Sequence, residues 1–184
     1  LILLTLAAYG ASLRNGFVWD DEFTVETNVS IESPGNLRHL FTPEYFGRFG
    51  EFTWRPVVTA TYFLDRALWG NKPAGHHATS LALHLAVVLL LFLWLSKLLV
   101  SEKIAFAVAA LQGVHPAFSE AVFCISYRED VLAALFVFAA LEAARRRHGA
   151  EGLRRMALEG AGAAFALLGC LSKEMAISVY LSLF

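Results

Sequence analysis

The sequence predicts an all-α fold: a multi-pass transmembrane helical bundle with a long outer loop that carries interfacial helices. Three observations predict it. The 184 residues are 57% hydrophobic and 17% charged, with mean hydropathy +0.55. A soluble domain has about 45–50% apolar and about 25% charged residues. The apolar excess is concentrated in blocks, and the polar stretches between blocks differ in charge from one side to the other. Collagen, a disordered tail and a disulfide-stapled mini-protein are excluded by this balance. With a net charge of -1 and a pI near 6.7, nucleic acid is excluded as a partner, because the basic excess that drives such binding is missing. Cys124 and Cys170 form no metal pattern and read as small apolar residues.

The elements follow in order. Residues 1–13 are apolar and lack a small-x-small cleavage site, so they read as a truncated membrane helix rather than a signal peptide. Residues 14–75 form the outer loop. Within it, Arg55-Pro56 opens a stretch with apolar residues at helical spacing through Trp69. Proline suits a first helical turn, and about 14 residues are too few to span, so an interfacial helix is expected. Trp19, Trp54 and Trp69 fit an interfacial aromatic belt. Asn28-Val29-Ser30 is a glycosylation tripeptide.

Helix 76–98 contains the clearest span, since residues 78–96 carry no charge and a span needs about 20 apolar residues. Helix 104–122 follows, with His115-Pro116 ending or kinking it. Helix 129–147 is apolar except for Glu142 after its first turn, and Arg145, Arg146 and Arg147 can snorkel at its end. Helix 156–171 is rich in Gly and Ala, which permit close helix packing in lipid. Helix 174–184 runs to the last residue. Both chain ends are apolar, so residues 1–184 are expected to be an N-terminal fragment of a larger membrane domain.

Parity of crossings then sets the sides. The inner side holds Lys97, Lys103, Arg145, Arg146, Arg147, Arg154 and Arg155 against Glu102, Glu142, Glu151 and Glu159, a net +3. The other eight basic groups and twelve acids give the outer side −4. Short loops with a Lys/Arg excess face the cytoplasm, so the outer face is extracytoplasmic: periplasmic in bacteria, luminal in the eukaryotic endoplasmic reticulum. The unusual polar clusters all fall on that face: Asp20-Asp21-Glu22, Arg55, His115 with Glu120, Arg128-Glu129-Asp130 and Lys173-Glu174. An ionisable group at mid-bilayer costs about 2.5–3.5 kcal/mol, so such groups gather at interfaces or cavities. One polar site at the outer surface is expected.

Candidate roles follow from residue type. A carboxylate of the Asp20-Asp21 pair can take a proton from a hydroxyl, or the pair can hold a divalent cation; a solvated acidic turn is the structural alternative. Arg128 can grip a phosphate through its fork of donors, or pair with a neighbouring acid such as Glu120. Lys173 can bind a phosphate with Glu174 orienting it, or the two can form a polar turn. Arg55 is a weaker candidate for the same charge, and Asp130 a supporting acid. His84 shares a helix face with His77 and reads as a histidine hydrogen-bonded within a bundle; a metal would need further ligands.

In order, FVWDDE (17–22), WRP (54–56), GHHATSLALH (75–84), HPAFSEAV (115–122), YREDVLA (127–133) and LSKE (171–174) resemble the N-terminal membrane region of the TMTC-type protein O-mannosyltransferases and their bacterial relatives. The resemblance covers nearly the whole chain. It implies a GT-C glycosyltransferase fold and a polyprenyl-phosphate-linked, mannose-like sugar as donor. It further implies inverting transfer to Ser/Thr of a polypeptide acceptor, with tetratricopeptide repeats following the membrane region. The implied catalytic carboxylate maps to Asp20, with Asp21 second. Family members often have YRP where Trp54-Arg55-Pro56 stands, and many have Asn in place of Ser80. Two alternatives remain open: a non-catalytic membrane scaffold preceding the repeats, and a GT-C enzyme using another lipid-linked sugar or acceptor. A transporter is disfavoured because the charges lie at helix ends.

Overall fold

The computed structural model describes residues 1–50, 52–99 and 101–181, with the backbone alone at 179 and 181. Among these, nine α-helices are joined by 3₁₀ and π turns, and there is no strand. α1 (Ile2–Tyr9) tightens into a 3₁₀ turn, Gly10–Arg14. α2 (Tyr45–Arg48) and α3 (Pro56–Trp69) belong to the outer loop. α4 (Pro73–Leu98), α5 (Glu102–Val114), α6 (Ser119–Phe123), α7 (Arg128–Arg147), α8 (Gly152–Ser172) and α9 (Ala176–Leu181) follow. α7 packs most extensively on α8, and α4 bridges α7 and α5.

Local chemistry sets the boundaries. Pro56 and Pro73 open α3 and α4, where a missing N–H leaves no helical bond unmade. Gly113 allows α5 to approach α1, since a Cβ there would lie 2.7 Å from Thr5 Oγ1. The expected helix 104–122 is broken. His115, preceding Pro116, is extended (φ -70°, ψ 129°), so α5 stops at Val114 and α6 restarts after a 3₁₀ turn.

α4 is the one helix among the described residues long and apolar enough to cross a membrane. At about 1.5 Å per residue its 26 residues reach about 39 Å. The other expected spans do not meet that criterion. The N-terminal apolar stretch Ile2–Arg14 and α5 are too short. α7 is charged at both ends, and α8 carries Arg154, Arg155 and Glu159 in its first half. Residues 182–184 of the expected last helix lie outside the described residues.

The outer loop is folded. Val25, Ile31, Leu40, Tyr45, Phe49, Val58, Tyr62 and Phe63 form a core with Ile125 and Leu132. α3 occurs where expected, yet it buries one face in this core and exposes Leu64 and Leu68 on the other. Trp19, Trp54 and Trp69 stay exposed. Trp54 Nε1 donates to the Leu40 carbonyl (2.8 Å), and Arg66 donates to the carbonyls of Val25 and Glu26. Asn28 is buried; its amide nitrogen donates to Thr24 and Phe49 carbonyls, and its oxygen accepts from Ser30 N. The glycosylation tripeptide is therefore a structural asparagine with no free amide.

One ion pair ties the loop to the helices. Arg128, the first residue of α7, has no exposed surface, and neither does Asp65 of α3. Arg128 Nη2 lies 2.6 Å from Asp65 Oδ2. The guanidinium also donates to Ser80 Oγ (3.1 Å), Thr61 Oγ1 (3.0 Å) and the His76 carbonyl (3.0 Å), and lies 5.4 Å from the Tyr62 ring centroid. Thr79 Oγ1 donates to the other Asp65 oxygen at 2.6 Å. Each charge is thus paired and hydrogen-bonded, as burial requires.

Removing one partner of such a pair strands a buried charge, at about 3–5 kcal/mol. Arg128→Met is expected to lose that much in denaturant unfolding of the detergent-solubilised protein. Arg128→Met combined with Asp65→Leu should lose less, because no charge is left unpaired. A double variant as unstable as the single one would contradict this assignment.

Candidate functional site

α7 begins after a tight loop, so its first residues fan outward at about 100° intervals. Arg128 points in, Asp130 is exposed, and Glu129 is buried, with 5% exposed. Acidic residues suit a helix N-terminus, where the backbone N–H groups are unpaired. Arg55, from the loop, meets Glu129 (Nη1 to Oε1, 2.9 Å) and Glu174 (Nη2 to Oε1, 3.6 Å). Lys173, from the turn between α8 and α9, meets Asp130 (2.5 Å) and Glu129 (3.9 Å). Three segments far apart in sequence therefore join in one charge network, with two cations held among three carboxylates.

Two cavities flank the network. The first, about 460 Å³, is walled by Val87, Phe118, Glu120, Asp130 and Lys173, with His84 among its lining residues. The second, about 480 Å³, is walled by Asp20, Phe23, Phe52, Arg55 and Ser126. Tyr127 and Glu129 belong to both walls. Desolvation, then the charges of Asp20 and Glu120, raise the Tyr127 phenol above its ordinary pKa.

The neighbouring aspartates are separated. Asp20 is exposed on the second cavity. Asp21 is fully buried: Oδ1 accepts from Ser126 N (2.7 Å) and the Cys124 thiol (3.4 Å), and Oδ2 accepts from Val18 N (3.2 Å). Asp21 thus clamps the first acidic turn to the loop before α7. Its oxygens are engaged by N–H and S–H donors, so the pair does not fit a divalent cation. Among the described residues no group of three or more His, Cys, Asp or Glu side chains could hold a metal. Burial pushes the Cys124 thiol up to about 12, which keeps it protonated and unreactive.

The other expected residues fall as follows. Arg128, expected at a phosphate, has turned inward to Asp65 and lines neither cavity; its partner is not Glu120. Glu120 is exposed on the first cavity. His84 is buried with its ring edge-on to Tyr9 at 5.2 Å and, as expected, hydrogen-bonds within the bundle, to the Gly113 backbone, while its Nε2 has no partner among the described residues. His115 is exposed and caps the turn after it, Nδ1 accepting from Ala117 N at 3.1 Å. Glu174 is exposed and meets Arg55 only at the rim. Sequence reasoning missed Asp65, Tyr127, Phe23 and Phe52. The signal for Asp65 was an acid at a core-facing helical position, between Leu64 and Arg66.

The chain is similar to human protein O-mannosyl-transferase TMTC1, 36% identical over 134 residues that cover 69% of this chain and 15% of that protein. A protein O-mannosyl-transferase of Caenorhabditis elegans is 31% identical over 150 residues, covering 77% of this chain and 22% of its own length. Human TMTC3 is 29% identical over 156 residues, covering 82% of this chain and 17% of its own length. The chain thus spans less than a quarter of the length of these curated relatives. No family model and no solved structure matches it.

The clamp at Asp21 has a direct readout. Cys124 should resist maleimide labelling at mildly alkaline pH in the native protein and label on unfolding. Asp21→Ala removes acceptors for two backbone N–H groups, at about 1–3 kcal/mol each if left buried, and should accelerate native labelling. Labelling as slow as in the parent would show that Asp21 does not hold this loop.

Proposed function

We propose that this chain is the outer catalytic face of a TMTC-type, GT-C membrane glycosyltransferase. It moves a mannose-like sugar from a polyprenyl-phosphate donor to a Ser/Thr hydroxyl of a polypeptide, with inversion. One observation carries the reading: the WDDE, WRP, YRED and SKE segments, scattered along the chain, border two adjoining cavities that share Tyr127 and Glu129. Similarity to proteins named protein O-mannosyl-transferases supports the reaction class.

The chemistry then divides between the cavities. Asp20 is the carboxylate open to solvent, so it takes the proton as the acceptor hydroxyl attacks the anomeric carbon. The bond from that carbon to the phosphate oxygen breaks from the opposite face, and the lipid phosphate leaves with added negative charge. Arg55 and Lys173 receive that charge. Both cations rest on Glu129, Asp130 and Glu174, so an arriving phosphate replaces carboxylates at these groups. Asp21 and Arg128 are positioning residues: the first holds Asp20's turn, the second anchors the helix that presents Tyr127 and Glu129. Glu120 and His84 line the donor cavity, and His115 caps the turn that carries Ala117 and Phe118 into its wall.

The membrane part of the proposal is a multi-pass bundle with the site on the extracytoplasmic face. α4 supplies one crossing by length and composition. Large apolar side chains point outward on α5 (Ile104, Leu111) and α8 (Met156, Leu167), as lipid-facing residues do. The +3 inner and −4 outer charge supports the orientation.

Sugar transfer is tested with the full-length protein in membranes, a radiolabelled polyprenyl-phosphate mannose and a Ser-containing peptide. Asp20→Asn is expected to lower turnover about 10²–10⁴-fold with unchanged expression. Lys173→Ala should raise the donor KM about tenfold, the worth of one charged hydrogen bond. Parent-like turnover in Asp20→Asn would remove Asp20 as the base, whereas no sugar transfer by the parent, with Ala at Asp20, Arg55 and Lys173 together tolerated, would favour a non-catalytic scaffold.

A further inference from the structure

The first cavity is bordered by polar atoms that the fold leaves unpaired. His84 of α4 is 2% exposed, and Gln112, in the last turn of α5, is half-buried. Among the described residues neither His84 Nε2 nor Gln112 Oε1, both buried atoms, has a hydrogen-bond partner. The two side chains belong to one wall, because His84 hydrogen-bonds the backbone of Gly113, the residue after Gln112. Beside them stand the exposed Glu120 and Phe118, whose ring centroid lies 6.2 Å from that of His84. A buried polar atom without a partner costs free energy until something pairs it.

Three observations say what pairs them. A polyprenyl chain has no hydrogen-bonding group, so lodging it here would seal both atoms from water and leave them unpaired. The cavity, about 460 Å³, has the size of a small-molecule site, and its imidazole, amide, carboxylate and phenyl groups suit a polyol. Hydroxyls both donate and accept, and the C–H face of a sugar ring packs on an aromatic one. Position is the third. Lys173 borders this cavity, Arg55 borders the second, and Glu129 meets both cations, so a phosphate held between them stands at the junction. A sugar on that phosphate can enter either cavity. Among the described residues lining the second, the buried unpartnered atom is Arg55 Nε, part of a cation already turned to the phosphate; the first offers an imidazole and an amide.

We propose that His84 and Gln112 are specificity-determining residues that hydrogen-bond hydroxyls of the donor's sugar in the first cavity; the identity of the donor rests on the glycosyltransferase reading above. A site built to pair a hydroxyl rejects the analogue that lacks it, because its own polar atoms are then left buried and unpaired. The sugar is neutral, since a uronic acid would meet the like charges of Glu120, Glu129 and Asp130 in the same wall.

The test uses the full-length protein in nanodiscs and a water-soluble, short-chain isoprenyl phosphate, with and without a mannosyl group. Binding is read by calorimetry without acceptor, and transfer to a Ser-containing peptide is read separately. In the parent the mannosyl group is expected to tighten binding about tenfold or more, the worth of one or two hydrogen bonds to otherwise unpaired atoms. His84→Phe and Gln112→Met, which nearly keep the volume, should each remove most of that gain and change binding of the bare phosphate less than about twofold. Donors lacking one sugar hydroxyl at a time should reproduce the loss in the parent at one or two positions, and those donors should be indifferent to the matching substitution. A parent that gains nothing from the mannosyl group, as when water alone fills the cavity, would overturn the proposal. So would variants that weaken both ligands equally, as a purely structural His84 would. Should a variant fail to fold, the deoxy series on the parent decides, and equal affinity for every member overturns the proposal. If the gain and its loss appear but no sugar is transferred, the sugar subsite stands and the transferase reading fails. If sugar is transferred and the gain survives both substitutions, the subsite alone fails.

Discussion

The rest of the structure depends on the ion pair between Arg128 and Asp65. Two charges with no exposed surface are tolerable only because each is paired and hydrogen-bonded, and the partners come from three helices. The pair therefore fixes where α7 begins relative to α3 and α4. Tyr62 reinforces this by donating toward the Ile125 and Ser126 carbonyls just ahead of α7. Once Arg128 is turned inward, Tyr127 and Glu129 line the two cavities. Asp21 completes the arrangement through the Ser126 amide, bringing the WDDE turn beside the same loop.

The electrostatics at the surface follow from this placement. Arg55 and Lys173 are brought within reach of one another's partners by Glu129, which meets both. Carboxylates occupy the cations, so the site is preorganised but neutralised. An anion gains from these cations only by displacing Glu129, Asp130 or Glu174.

Much of this was legible in the sequence, and the limits have physical causes. α3, α4, α7 and α8 follow from proline starts and apolar blocks, and their ends differ from expectation by a few residues. The crossing parity assumed spans of which only α4 meets the length and apolarity criterion among the described residues; the structure shows Asp20, Arg55, Glu129 and Lys173 bordering two adjoining cavities. The break at His115-Pro116 was readable from proline chemistry, but the short α6 beyond it was not. The direction of Arg128 was illegible because consecutive helical residues point about 100° apart, and the one that turns inward is chosen by Asp65, a residue remote in sequence. Asp20 and Asp21 are equivalent by composition. They are told apart by a hydrogen bond to a backbone amide at Ser126, which no local pattern records.

The central claim is that Arg55 and Lys173 take a lipid phosphate while Arg128 stays with Asp65. Its most direct measurement is an electron cryo-microscopy structure of the full-length protein with bound polyprenyl phosphate. The account predicts phosphate density between Arg55 and Lys173 beside Glu129, with the Arg128–Asp65 pair intact. Phosphate held by Arg128, or bound away from both cavities, would contradict it.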